Sequence, residues 1–182
     1  MCNVNYETAE IIARRDAVFD ALLKLLKTHA LEDINVTQLC DAANVSRMFY
    51  YRHYQSYEDI VTDKLARLFD TYQRYLNKYR IEKSQELAEL FFDFFKDYQQ
   101  QLLILISSDL QYPVYYEFKK YLKVLIGKGV IKSPILDQKG YWSSYSAAGL
   151  TELLFDWVVN GCQESPVEMA QLIYKIGHNS NA

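Results

Sequence analysis

The 182-residue chain is 50% hydrophobic and 24% charged, with a formal net charge of −3, a composition that excludes a disordered segment and a bulk polycationic nucleic-acid coat. Residues 1–80 balance 11 basic against 11 acidic side chains, and 81–182 carry 9 against 12, so any nucleic-acid contact has to come from a local patch. No run of about 18 apolar residues suggests a membrane span, and the start "MCNVNYETAEIIARRD" has acidic residues and no apolar core of the secretory kind.

In chain order, Ile11, Ile12, Val18, Phe19, Leu22, Leu23, Leu25 and Leu26 recur at helical spacing and predict a helix from Ala9 to His29. "THALEDIN" breaks the pattern. Asn35 or Thr37 then caps a short helix through "VTQLCDAA", whose apolar face is Val36, Leu39, Cys40 and Ala43. Asn44-Val45 is a tight connection, because Asn tolerates left-handed backbone, and Ser46 suits the N-cap of a second short helix, Arg47 to about His53. Ser56 with Asp59 three residues on is a capping box that opens a long helix, Tyr57 to Tyr79. "SQELAELFFDFFKDY" presents a broad apolar face, and "QQLLILISSDL" reads as a fully buried short helix. Pro113 suits the first turn of the next helix, which ends before Gly127. "KSPILDQKG" reads as a loop, and Tyr141–Asn160 as a helix stopped by Gly161. "SPVE" at Ser165–Glu168 opens the last helix with Ser at the N-cap, Pro at N1 and Glu at N3. The prediction is all-α, with about nine helices and no repeat.

Three helices, the second and third short and joined by a tight turn, make a helix-turn-helix unit over about residues 35–54. Arg47, Met48 and Phe49 occupy the first turns of the third helix, where base edges are reached. Tyr51, Arg52, His53 and Tyr54 add donors for phosphate oxygens. Tyr50 and Tyr54 follow the hydrophobic spacing and are expected to hold that helix on its core. Thr37 and Gln38 either meet the DNA backbone or only cap their own helix, and His53 either contacts DNA or packs.

"VTQLCDAANVSRMFYYRHYQSYEDI" resembles the TetR/AcrR family of bacterial transcriptional regulators, a likeness running from about Ile11 to Leu65. Val45, Ser46, Arg47, Tyr51, His53, Ser56 and Glu58 coincide with the family pattern, and Tyr54 and Ile60 are near substitutes. Asn44 stands in place of the turn glycine, and the bulky Met48 and Phe49 replace small residues. Tyr57 replaces a lysine that in the family touches phosphate. The resemblance implies a DNA-binding domain over residues 1–60 and a helical effector-binding and dimerisation domain over 61–182. The protein is then expected to be a ligand-responsive repressor that binds a palindromic operator in double-stranded DNA as a homodimer. The alternative is a coactivator of the same fold acting through a protein partner. The expected DNA contacts are Thr37, Gln38, Ser46, Arg47, Met48, Phe49, Tyr51, Arg52, His53 and Tyr57.

The last third supports an interface independently. "YWSSYSAAGLTELLFDWVVNG" mixes small residues with large apolar ones, which lets helices approach closely. Tyr141, Tyr145, Ala148, Gly149, Leu153 and Trp157, with Val167 and Leu172 of the last helix, are the candidate dimer face, set against burial within one subunit. Gly149, Trp157, Gly161 and "SPVEMA" resemble a C-terminal domain common among Firmicutes members of the family. The aromatics Phe91, Phe92, Phe94, Phe95, Tyr98, Tyr112, Tyr115, Tyr116, Tyr121 and Tyr145 are either core or the walls of a pocket for a small hydrophobic or aromatic effector. No metalloprotease, C-x-x-C or nucleophile-elbow motif occurs, and "GKG" at Gly127–Gly129 is no phosphate loop. His29, His53 and His178 lie far apart, so no enzyme, cofactor, metal or membrane association is expected. Three scattered cysteines, Cys2, Cys40 and Cys162, fit a reduced, cytoplasmic setting without disulfides.

Overall fold

The computed structural model describes residues 9–79, 84–129 and 140–178. Among these there are nine α-helices and no strand: α1 (Ala9–Leu26), α2 (Val36–Ala43), α3 (Arg47–His53), α4 (Tyr57–Leu76), α5 (Ser84–Lys96), α6 (Gln99–Ser107), α7 (Tyr112–Gly127), α8 (Tyr141–Val159) and α9 (Pro166–His178). The all-α expectation stands. The expected loop at 132–140 lies outside the described residues apart from Gly140, as does Cys2.

The boundaries follow from capping chemistry. Asn35 accepts from the Gln38 backbone N–H at 2.9 Å, while Gln38 Oε1 accepts from the Asn35 N–H at 3.1 Å, so two orphan donors at the start of α2 are satisfied reciprocally. Asn44 leaves α2 in the left-handed region (φ 53, ψ 45), a conformation Asn adopts at little cost. Ser56 and Asp59 form the corresponding box on α4. At the end of α8, Gly161 takes φ +82; its N–H reaches the Val158 carbonyl and that of Cys162 reaches Trp157, a double closure that needs a residue free to adopt positive φ. Ser165 and Glu168 box the start of α9 as the spacing predicts.

Three expectations shift. α1 ends at Leu26 rather than His29. α4 ends at Leu76 rather than Tyr79. α6 is not fully buried: Leu102 and Leu105 face inward, but Leu103 is 37% exposed. Its apolar run has no polar face to mark the solvent side, so sequence alone overstates its burial.

α1, α2 and α3 pack with the first turns of α4 around Leu22, Leu39, Tyr50, Tyr54 and Ile60, all buried. Full burial of each such aliphatic side chain stabilises the unit by roughly 1.5–3 kcal/mol. α4 runs without a break past residue 60 and packs on α7, which packs on α8; α5 lies on α9, and α6 on α8 and α1. A polar clamp joins α1 to α4. Asp63 accepts from Arg15 (3.1 Å), from the Tyr54 hydroxyl (3.2 Å) and from Arg67, and Asp16 accepts from Lys64 (2.7 Å) and Arg67 (3.0 Å). Nothing in the sequence marked this clamp except the i,i+4 pair Asp63–Arg67 and the adjacent Arg15-Asp16.

Candidate nucleic-acid interface

α3 is seven residues long and divides cleanly by face. Ser46 Oγ accepts from the Phe49 N–H (3.1 Å) and starts it. Arg47, Met48, Tyr51 and Arg52, at positions i, i+1, i+4 and i+5, are all exposed, Met48 by 72% and Tyr51 by 67%. Tyr50 and Tyr54 are 3% exposed, as their spacing predicts, and their rings lie 5.8 Å apart. Burial pushes the Tyr50 phenol up to about 12 and raises that of Tyr54 further, helped by the adjacent Asp63 carboxylate; both stay neutral at any physiological pH. The outward face thus offers two guanidiniums, a phenol and a thioether on a helix fixed from behind.

The other expected contacts fall into two groups. Thr37 and Gln38 are exposed at the start of α2, although the Gln38 amide oxygen is engaged with Asn35. Ser46 is exposed with its hydroxyl accepting as the cap. Phe49, His53 and Tyr57 point differently. Phe49 is partly buried on the inner side, 4.5 Å from the His53 ring and beneath the Arg14 guanidinium. His53 Nδ1 lies 3.2 Å from Arg15 Nη2, and since a guanidinium can only donate, that nitrogen accepts. Tyr57 is half-buried, and its hydroxyl donates to the Ile34 carbonyl at 2.5 Å. Burial raises its pKa, with the Tyr51 phenol adding to the effect. The hydroxyl that stands at the family lysine position therefore ties α4 to the segment before α2.

On the candidate dimer face, Tyr141 (71%) and Tyr145 (78%) are the most exposed large residues of α8, and Val167 and Leu172 of α9 are each 42% exposed. Ala148 and Gly149 are exposed and Leu153 is partly buried. Trp157 is not on that face. It is 2% exposed, packs edge-on against Phe92 at 5.2 Å, and donates its indole N–H to the Glu164 carbonyl at 3.0 Å. The Trp side chain supports the helix from beneath.

The aromatic run separates in the same way. Phe91, Phe92, Phe95 and Tyr121 are buried, with Phe91 4.9 Å from Phe118 and Tyr121 5.2 Å from Phe69. Tyr112, Tyr116 and Tyr145 are at the surface. A groove of about 390 Å³, open to solvent, lies between the C-terminal ends of α4 and α7, lined by Gln73, Asn77, Tyr121, Leu125 and Lys128 among others. The Tyr121 hydroxyl is buried without a hydrogen-bond partner, and burial pushes its pKa up to about 12. Cys40 and Cys162 are buried free thiols whose pKa burial raises, which keeps them unreactive. No group of His, Cys, Asp and Glu among the described residues could hold a metal, and no described helix is long and apolar enough to cross a membrane.

The described chain is all-helical, with a short outward-facing helix, α3, following α2 across a tight turn. Residues 82–179 match the family model described as "Transcriptional regulator C-terminal region", which spans more than half of the chain, and the protein belongs to the TetR family of transcriptional regulators. Among solved structures it is similar to the fatty acid degradation regulator FadR from Bacillus halodurans, with 17% identity, a TM-score of 0.59, and coverage of 90% of this chain and 93% of that one. A protein from Syntrophomonas wolfei assigned to the TetR family shares 16% identity at a TM-score of 0.60, over 90% of this chain and 92% of that one. The dihydroxyacetone kinase operon activator DhaS shares 15% identity at a TM-score of 0.53, over 91% and 94%. At such identities these likenesses speak for the fold alone. No curated protein matches the chain.

Proposed function

We propose that this protein is a DNA-binding repressor that acts as a homodimer on a palindromic operator and is released by a small hydrophobic or aromatic effector. The observation that carries the reading is the division of α3. Arg47, Met48, Tyr51 and Arg52 face outward together while Tyr50 and Tyr54 anchor the helix from behind, the arrangement a helix needs to enter a major groove. Arg47 and Arg52 supply guanidiniums for base edges or phosphates, the Met48 thioether and methyl suit thymine methyls, and Tyr51 donates to phosphate. Thr37, Gln38 and Ser46 lie alongside as backbone contacts. The exposed apolar residues of α8 and α9 would close a two-fold four-helix interface, setting two copies of α3 about one DNA turn apart. An effector seated in the groove beside Tyr121 would draw α4, which is continuous with the proposed DNA-binding unit, toward one of two positions.

The test is binding of the purified chain to duplex DNA from upstream of its own gene, across 50–200 mM salt, against random duplex. Nanomolar binding is expected, with a steep salt slope from phosphate contacts. Replacing Arg47 and Tyr51 together by Ala should weaken it at least about tenfold while the dimer persists in light scattering. Equal affinity for random DNA would refute the operator reading. The inward turn of the Tyr57 hydroxyl favours, as the second reading, a coactivator that works through a protein partner.

A further inference from the structure

Apart from single residues, Tyr79 after α4 and Leu103 on α6, the exposed large apolar residues of the C-terminal part that are described group on α8 with α9 and on α7. The dimer face accounts for the first and leaves the second. α7 turns its inner side, Val114, Phe118, Tyr121, Leu122 and Leu125, into the core, all of them buried. Its outer side carries Tyr112 (68% exposed), Tyr116 (50%) and Val124 (44%) at four- and eight-residue spacing, interleaved with Lys119, Lys120 and Lys123 on the same face. Lys119 lies over the Tyr115 ring and Lys120 over Tyr116, at 5.8 and 5.9 Å, so the ammonium groups are spread along an aromatic strip.

The helix has one acidic residue, Glu117, and that residue is 4% exposed with its carboxylate bonded by Lys120 at 2.9 and 3.0 Å. The outer face therefore presents lysines with no exposed carboxylate on their own helix. It does so within residues 81–182, where acidic side chains exceed basic ones by 12 to 9 with α7 included. We infer that the outer face of α7 docks an acidic amphipathic segment of a partner protein, with its carboxylates on Lys119, Lys120 and Lys123 and its apolar side chains on Tyr112, Tyr116 and Val124. Charge complementarity sets this choice. Tyrosines at the centre of a patch give protein interfaces their anchoring area, whereas bidentate recognition of phosphate is the work of arginine, which α7 lacks. This surface lies on a different helix from α3, so it stands or falls independently of the operator; towards α8 it is bounded by Lys123, whose ammonium comes close to Gly140.

The probe is a fluorescent peptide of alternating Glu and Leu/Phe, compared with its Gln and Lys counterparts, and titrated with the full chain. The acidic peptide is expected to bind with a Kd in the micromolar range at low salt and to weaken as salt screens the contacts. Lys119→Glu with Lys123→Glu should weaken it at least about tenfold, and Tyr116→Ala by about tenfold. Lys120 is left in place because Glu117 depends on it. Both variants should keep wild-type helicity, operator affinity and dimer mass. Lys119→Gln with Lys123→Gln serves as the milder pair if charge reversal disturbs folding. Equal binding of the Gln peptide, or insensitivity to the α7 variants, would overturn the inference. So would competition of the peptide by phosphatidylglycerol vesicles or random DNA, which would assign the face to a membrane or nucleic acid. A change in oligomeric mass on Tyr116→Ala would make it a self-interface instead.

Discussion

Replacing Tyr57 by Phe separates two roles that the sequence could not tell apart. In the structure the Tyr57 hydroxyl donates to the Ile34 carbonyl at 2.5 Å, and Ile34 is 5% exposed. Losing a neutral hydrogen bond costs about 1 kcal/mol, and a buried carbonyl left without its donor raises the cost to about 1–2 kcal/mol. For a chain of this size that lowers the thermal midpoint by about 2–8 °C. Operator affinity should change little, because the hydroxyl points into the protein. Tyr57→Lys should lose more stability than Tyr57→Phe, since an ammonium cannot occupy that half-buried position, and any gain in DNA affinity would come from a side chain that swings out. Thermal melts and DNA titrations at one fixed protein concentration decide the matter, because the proposed dimerisation would couple stability to concentration. An unchanged midpoint with weakened DNA binding in Tyr57→Phe would refute the inward reading and return the hydroxyl to the phosphate backbone.

Two more outcomes follow from packing and charge. Trp157→Ala should cost about 3–5 kcal/mol through the cavity left against Phe92, whereas Tyr145→Glu should dissociate the proposed dimer with helicity retained. Sedimentation and urea melts distinguish them, and a Trp157 variant that dissociates without losing protomer stability would place that ring at the interface after all. Burial alone would raise the Asp16 carboxyl, but hydrogen bonds and charge from Lys64 and Arg67 outweigh it and hold its pKa below the usual value. A folded-state pKa below the unfolded one, about 3.9, gives stability that is full above that value and lost as pH falls through the folded pKa. Asp16→Asn should therefore be less stable than wild type at pH 7, with the gap narrowing as pH falls below about 4; a gap that does not narrow as the pH is lowered would show that the clamp works by shape alone.

How much of the site could be read in advance depended on whether its cause was local. The starts of α3, α4 and α9 and the stop after α8 were evident at Ser46, Ser56, Ser165 and Gly161, and that of α2 was narrowed to Asn35 or Thr37, of which Asn35 is the cap, because a cap is settled within four residues of chain. The inward placement of Tyr50 and Tyr54 was evident for the same reason, since their spacing repeats the hydrophobic period. Phe49 and Trp157 were not. Both are large and apolar, and which side of a helix receives such a residue is set by the helix lying opposite: α1 with Arg14 for Phe49, and α5 with Phe92 for Trp157.

The sequence by itself determined an all-helical chain, a helix-turn-helix spacing near the N-terminus, and the short helix that presents Arg47, Tyr51 and Arg52, because helical period and capping are short-range properties of the chain. Only the tertiary structure decided that Tyr57 closes onto Ile34, that Arg15 and Asp16 clamp α4 through Asp63, Lys64 and Arg67, and that α7 leaves a tyrosine–lysine strip uncovered. Those partners lie 23 to 51 residues apart in the chain, or on α7 are left at the surface, and a period or a motif carries no information about which distant helix will cover which face.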